Sequence, residues 1–186
     1  EIRLNDMGNI GDEELEDIKN INIDVSAVND SPIITSAGFF SSFEDSLFNI
    51  ENIIIGDVDI DEGDGLLEIS IDCLECEVSL ALPLEGISVI SGNTFESNSM
   101  VFRGGLNNIN NAISNLGVTG NENFCGLTNL QITANDLGNY SIAATEETHT
   151  VNISIDFEEI NDPPVNQDPL TSQEVPPFVS FSDNEL

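Results

Sequence analysis

Apolar residues recur at every second position through most of the chain. "LLEISID" at 66–72, "CEVSLAL" at 76–82, "GISVI" at 86–90 and "SMVFRG" at 99–104 alternate apolar with polar. "NLQITAND" at 129–136 and "HTVNISID" at 149–156 do the same, and "LFNIENIII" at 47–55 predicts an earlier strand with Phe39, Phe40 and Phe43 before it. Period two places successive side chains on opposite faces of a strand, so each segment predicts a half-buried strand. One stretch departs. "LNNINNAISNLG" sets Leu106, Ile109, Ile113 and Leu116 three or four apart, with Gly117 after them. That spacing predicts a short helix stopped by Gly117. Many short strands separated by turn residues, with one helix, predict an all-β fold: an antiparallel Greek-key sandwich of the immunoglobulin type.

An internal repeat sets the domain organisation. "IRLNDMGN" at 2–9 returns as "ITANDLGN" at 132–139 with five of eight positions identical. Each copy precedes an alternating stretch that closes on Asn-Asp-x-Pro: "NINIDVSAVNDSP" at 20–32 and "HTVNISIDFEEINDPP" at 149–164. The offset is 130 residues at the first motif and 132 at the second. Residues 1–30 therefore read as the closing strands of one unit and 31–162 as a complete unit. Residues 163–186, rich in Pro and polar residues, read as the start of a third. The chain reads as an excerpt of a longer array.

Charge narrows the partners. Asp plus Glu number 35 against three Lys plus Arg, a formal net charge of −32. Nucleic acid and anionic membrane surfaces both need clustered basic side chains and are excluded as partners. No apolar run reaches membrane-spanning length. Three cysteines cannot close a set of disulfides, and a CxxC with a single histidine does not make a zinc site. Cys73-x-x-Cys76 is expected to share one disulfide with Cys125, which pairs with Cys73 or with Cys76.

The acids come in clusters beside turn residues. "GDVDIDEG" at 56–63 presents Asp57, Asp59 and Asp61 at alternate positions, which face one way in an extended segment. Hard oxygen ligands in that number suit Ca²⁺, whose shell takes six to eight. An EF-hand would use Asp57, Asp59, Asp61 and Glu68 at loop positions 1, 3, 5 and 12, but the flanks alternate like strands and Glu62 stands where Gly is required. No nucleophile elbow or phosphate loop appears, so the chain is read as non-enzymatic. Asn29-Asp-Ser, Asn139-Tyr-Ser and Asn152-Ile-Ser match the N-glycosylation sequon.

The order "FEDS", "GDVDIDEG", "FRGGLNNINNAISNLG", "NENFCGLTNLQITANDLGN", "HTVNISIDFEEINDPP" resembles the cadherin-like tandem repeats of large secreted and cell-surface proteins. The matching positions are Gly105-Leu106, Ile109-Asn110 with Ala112-Ile113, Asn123-Phe124-Cys125-Gly126, and the linker Val28-Asn29-Asp30-Ser31-Pro32. They cover essentially all of 31–164. The resemblance implies Ca²⁺ at the junctions between sandwiches. Asn29, Asp30, Asp57, Asp59 and Asp136 would serve the first junction, and Glu44, Asn161 and Asp162 the second. The Asp-Arg-Glu motif of cadherins has no clear counterpart here. The function expected is a calcium-rigidified structural or adhesive segment of an extracellular fibrous or surface protein: an adhesin, a matrix component or an appendage filament. Its partners would be neighbouring repeats of the same chain, further copies in a polymer, or other surface and matrix proteins. The alternative is a carbohydrate- or ligand-binding module of a secreted enzyme. With no Trp and only Tyr140, the aromatic platform such a module uses is hard to build.

Overall fold

The computed structural model describes residues 1–8, 13–25, 28–138 and 145–163. Thirteen strands and one α-helix follow in order: β1 (Ile2–Asn5), β2 (Glu16–Lys19), β3 (Ile33–Thr35), β4 (Phe39–Phe43), β5 (Phe48–Glu51), β6 (Ile54–Gly56), β7 (Leu66–Cys73), β8 (Cys76–Ser79), β9 (Ile87–Gly92), β10 (Ser99–Gly105), α1 (Leu106–Ile113), β11 (Asn115–Gly120), β12 (Gly126–Asn135) and β13 (Thr148–Glu158). The chain is an all-β sandwich preceded by a separate hairpin, β1–β2. One layer is a six-stranded sheet in the order β4-β13-β12-β7-β10-β9. The three-stranded sheet β5-β11-β8 and the pair β3-β6 face it. All pairings are antiparallel except β4 with β13, which run parallel and depart from the purely antiparallel expectation.

Alternation explains the two layers. In β7 the inward residues Leu67, Ile69 and Ile71 are buried, as are Leu130, Ile132 and Ala134 in β12 and Ile153, Ile155 and Phe157 in β13. They meet Ile50, Val78, Leu116 and Val118 of the three-stranded sheet. Burying one such large side chain is worth about 1.5–3 kcal/mol, so the core dominates stability. Helix α1 buries Ile109, Ala112 and Ile113. From the same helix Asn110 completes a strand edge. Its Oδ1 accepts from Ile55 N at 2.8 Å and its Nδ2 donates to Ile55 O at 2.9 Å.

Four expectations change. The helix ends at Ile113, and Leu116 and Gly117 belong to β11. Ser114 N and Oγ both donate to Asn111 O, which turns the chain out of the helix, and Leu116 is then taken up by the core as a strand residue. The segment 47–55 is two strands in different sheets, β5 and β6, broken at Asn52 with φ of 63°. Residues 20–25 form no strand, and Ile21, Ile23 and Val25 stand exposed, because among the described residues no neighbouring strand offers them a ladder. The disulfide joins Cys73 to Cys76, leaving Cys125 free and exposed. Cys73 ends β7 and Cys76 starts β8, so the turn brings their Cα atoms to 5.3 Å, within bridging reach.

Candidate functional site

The linker ahead of the sandwich is bonded to the sandwich's own carboxylates. Asn29 Nδ2 donates to Asp136 Oδ2 at 2.5 Å across 107 residues of sequence, and also to Thr145 O at 3.1 Å. Asp30 N donates to Asp59 Oδ2 at 2.6 Å. Four residues on, Ile34 N donates to His149 Nδ1 at 2.8 Å, so the single histidine clamps the first strand after the linker. Asn29, Asp30, Asp57, Asp59 and Asp136 are thus brought to one end of the sandwich.

Local structure presents each carboxylate. Asp136 follows β12 in an Asn-Asp-Leu-Gly turn whose Leu137 and Gly138 take left-handed φ of 58° and 71°. Its Oδ1 accepts from Gly138 N and Glu147 N, both at 2.8 Å, leaving Oδ2 for the linker. It is fully buried. Asp59 heads a single 3-10 turn, Ile60–Glu62, and is itself buried. Asp57 Oδ1 accepts from Asp59 N at 2.8 Å. The Asp57 carboxyl is pushed above the ordinary aspartate range by burial first, and by the charges of Asp136, Asp59 and Asp30. Among the described residues, two buried oxygens at this end, Asn29 Oδ1 and Asp57 Oδ2, have no hydrogen-bond partner. A cleft of about 660 Å³ opens beside them, lined by Asp30, Ser31, Ile33, Gly56, Asp57 and Val58.

Asp61 stands apart. The loop was expected to be extended, with Asp57, Asp59 and Asp61 on one face. The 3-10 turn breaks that alternation after Asp59 and leaves Asp61 exposed.

The second predicted set lies at the other end. Glu44 is buried; its Oε1 accepts from Ile160 N at 2.7 Å, and Glu44 N donates to Glu158 O at 2.9 Å. Glu44 therefore straps the exit of β13. Asn161 and Asp162 are exposed just beyond, and Asn161 Nδ2 bonds the carbonyl of Asp162 at 3.3 Å. The eleven residues of β13 separate the two ends, about 33 Å at a strand's rise per residue. Thr145 O, Glu147 N, Asn110 and His149 escaped the sequence reading. Their roles depend on which strands become neighbours, and no local motif announces that.

Among the described residues, no three His, Cys, Asp or Glu side chains form a ready-made metal cluster. The oxygens gathered here are more mixed, with one supplied by the Asn29 amide and several engaged by backbone N–H groups. The mutual repulsion felt by Asp57 still marks them as near neighbours.

No protein family and no curated protein matches the chain. A solved structure, the cohesin module of a family 33 glycoside hydrolase from Clostridium perfringens ATCC13124, covers 71% of this chain and 100% of its own at 15% identity, with a TM-score of 0.36. At that similarity it adds nothing to what the sheet topology gives. Among the described residues no helix is long and apolar enough to cross a membrane. Asn152 lies exposed on β13; Asn139 and residues 164–186, nearly all of the expected third unit at 163–186, lie outside the described residues.

Proposed function

We propose that the chain is a Ca²⁺-binding, cadherin-like segment of a tandem array in an extracellular or cell-surface protein, and that it acts by holding successive sandwiches at fixed spacing. The observation that carries this reading is the meeting of linker and sandwich at one end. Asn29 and Asp30 reach Asp136 and Asp59, and two buried oxygens there, Asn29 Oδ1 and Asp57 Oδ2, lack partners among the described residues. Unsatisfied buried acceptors are costly, and a bound cation would satisfy both at once. Asp57, Asp59, Asp136, Asp30 and the Asn29 amide would hold the ion, all through oxygen, the donor type Ca²⁺ selects. Bound Ca²⁺ would cancel the repulsion among these carboxylates and fasten the linker to the unit that follows it. Glu44, Asn161 and Asp162 would begin the corresponding site at the exit, completed by the next unit.

Calorimetric titration of the whole chain with Ca²⁺ tests this, alongside small-angle scattering before and after EDTA. The expected result is saturable heat, a more extended and less variable envelope with Ca²⁺, and at least tenfold weaker binding in Asp57→Asn and Asp136→Asn. No heat and an unchanged envelope would reject the reading.

A further inference from the structure

The ribbon β3–β6 carries the chain from the linker into the sandwich. Three residue pairs hold it: Ile33 with Gly56, Ile34 with Ile55 and Thr35 with Ile54. A two-stranded ribbon is marginal by itself in water. The N–H groups of its central pair are both taken by side chains from other elements. Ile55 N donates to Asn110 Oδ1 of α1, and Ile34 N donates to His149 Nδ1 of β13, each at 2.8 Å. Ile34 and Ile55 are buried, and His149 is half-buried. The two clamps differ in one respect. An amide oxygen accepts at every ordinary pH, whereas an imidazole Nδ1 accepts only while it carries no proton. His149 therefore holds its proton on Nε2.

We propose that His149 is a proton-operated clamp: mild acid undoes its hold on β3 and loosens the linker ahead of it. A solvent proton added to the Nδ1 lone pair, with Nε2–H retained, turns the acceptor into a donor facing the Ile34 N–H. The bond is lost, and the N–H of a buried residue is left without a partner, which is costly. Histidine is the side chain suited to such a change between about pH 5 and 8. Among the described residues, the charged groups flanking the elements around the ring are Glu147 ahead of β13, Asp136 after β12, Asp30 ahead of β3, and Asp57 and Asp59 after β6. β3 itself carries none, and none of the five is basic, so a positive ring meets no like charge there. The bonds of Asn29 to Asp136 and of Asp30 to Asp59 remain, so the joint loosens without opening. That consequence for the junction rests on the reading of the linker as an ion-binding joint; the clamp does not.

The clamp is therefore tested in EDTA, where its failure says nothing about Ca²⁺. Amide exchange at Ile34 in the whole chain is compared between about pH 7.5 and about pH 5.5, corrected for its intrinsic pH dependence. Ile55, held by an amide that does not titrate, is the internal reference. Protection at Ile34 should fall roughly tenfold with acid and at Ile55 by less than about twofold. The fall should follow the titration of the ring itself, read from its carbon-bound protons by NMR, which needs no variant. His149→Asn keeps an acceptor near the Nδ1 position and should hold Ile34 protected at both pH values. His149→Leu should leave it unprotected at both. Unchanged Ile34 exchange while the ring titrates, an equal fall at Ile55, or the same fall in His149→Asn would overturn the proposal.

Discussion

Two turns with nearly the same sequence close two hairpins of this chain. In the sandwich, Asn135-Asp-Leu-Gly138 ends β12; ahead of it, Asn5-Asp-Met-Gly8 ends β1. The bonds agree one by one. Asp136 Oδ1 accepts from Gly138 N and Glu147 N, and Asp6 Oδ1 accepts from Gly8 N at 3.0 Å and Leu15 N at 2.9 Å. Leu137 N and Met7 N each bond the Asn Oδ1 two residues back. Asp136 N donates to Glu147 O at 3.2 Å and Asp6 N to Leu15 O at 3.1 Å. Even the flanking amide agrees: Asn135 Nδ2 bonds Glu146, and Asn5 Nδ2 bonds Glu14. The partner bonded across the turn lies 9 residues on in the first hairpin and 11 in the second. That difference of two accounts for the change in repeat offset from 130 to 132. What separates the turns is their surroundings. Asp136 is buried and holds Asn29, while Asp6 lies in an open hairpin. Local sequence dictates the turn; tertiary context decides whether its carboxylate becomes part of a site.

Truncating the two aspartates should pull the hairpins furthest apart. Asp136→Ala strands two part-buried N–H groups and an Asn amide, and should cost about 2 kcal/mol in urea unfolding, below the full 1–3 kcal/mol per buried group because water reaches part of the site. Asp6→Ala removes the same bonds in solvent and should leave the main transition unmoved. A comparable loss in both would show that burial is not what divides them. Asn29→Ala should cost less, about 1–2 kcal/mol, and should speed amide exchange at Asp30.

Dependence on pH should have opposite sign at Asp6 and at Asp57 beside Asp136. Asp57 is raised by burial and neighbouring charge, so in metal-free protein its ionisation opposes folding. That penalty grows as pH rises from about 3.8 through its folded value, and Asp57→Asn should remove it. Asp6 is lowered by backbone N–H donors from Leu15 and Gly8, so its contribution is present above about 3.8 and fades as pH falls below it. Urea midpoints between pH 3 and 7 for wild type and Asp57→Asn check the first sign, and amide exchange at Leu15, corrected for its intrinsic pH dependence, in wild type and Asp6→Asn checks the second. The smallest effect should come from lengthening the first hairpin. Two residues inserted between Gly11 and Asp12 would match it to the second and should shift exchange at Leu15 by only about 0.2 kcal/mol, the closure cost of so small a change.

Much of the sandwich was legible because half-burial imposes period two, as in β7, β10, β12 and β13. Where two periods overlap, legibility ended. Ile113, Leu116 and Val118 fit a helix and a strand alike, and only the core shows where one stops. Asn52 carries no local sign that it turns the chain from one sheet to another. The residues gathered at the linker end could be named from motifs, because Asn, Asp and Gly also carry turn geometry. Asp61 could not be set apart from Asp59, since a single turn of 3-10 helix leaves little trace in sequence. The clamps by Asn110 and His149 join elements 55 and 115 residues apart and are visible only once those elements meet.

The parallel pairing of β4 with β13 has a consequence for load. The chain enters at one end of the sandwich and leaves at the other, and these two strands are its first and last contributions to the large sheet. Tension between Pro32 and Pro163 would draw β4 and β13 in opposite directions along their length. Their five residue pairs, Phe39 with Ser154 through Phe43 with Glu158, would be strained together in shear rather than peeled one after another.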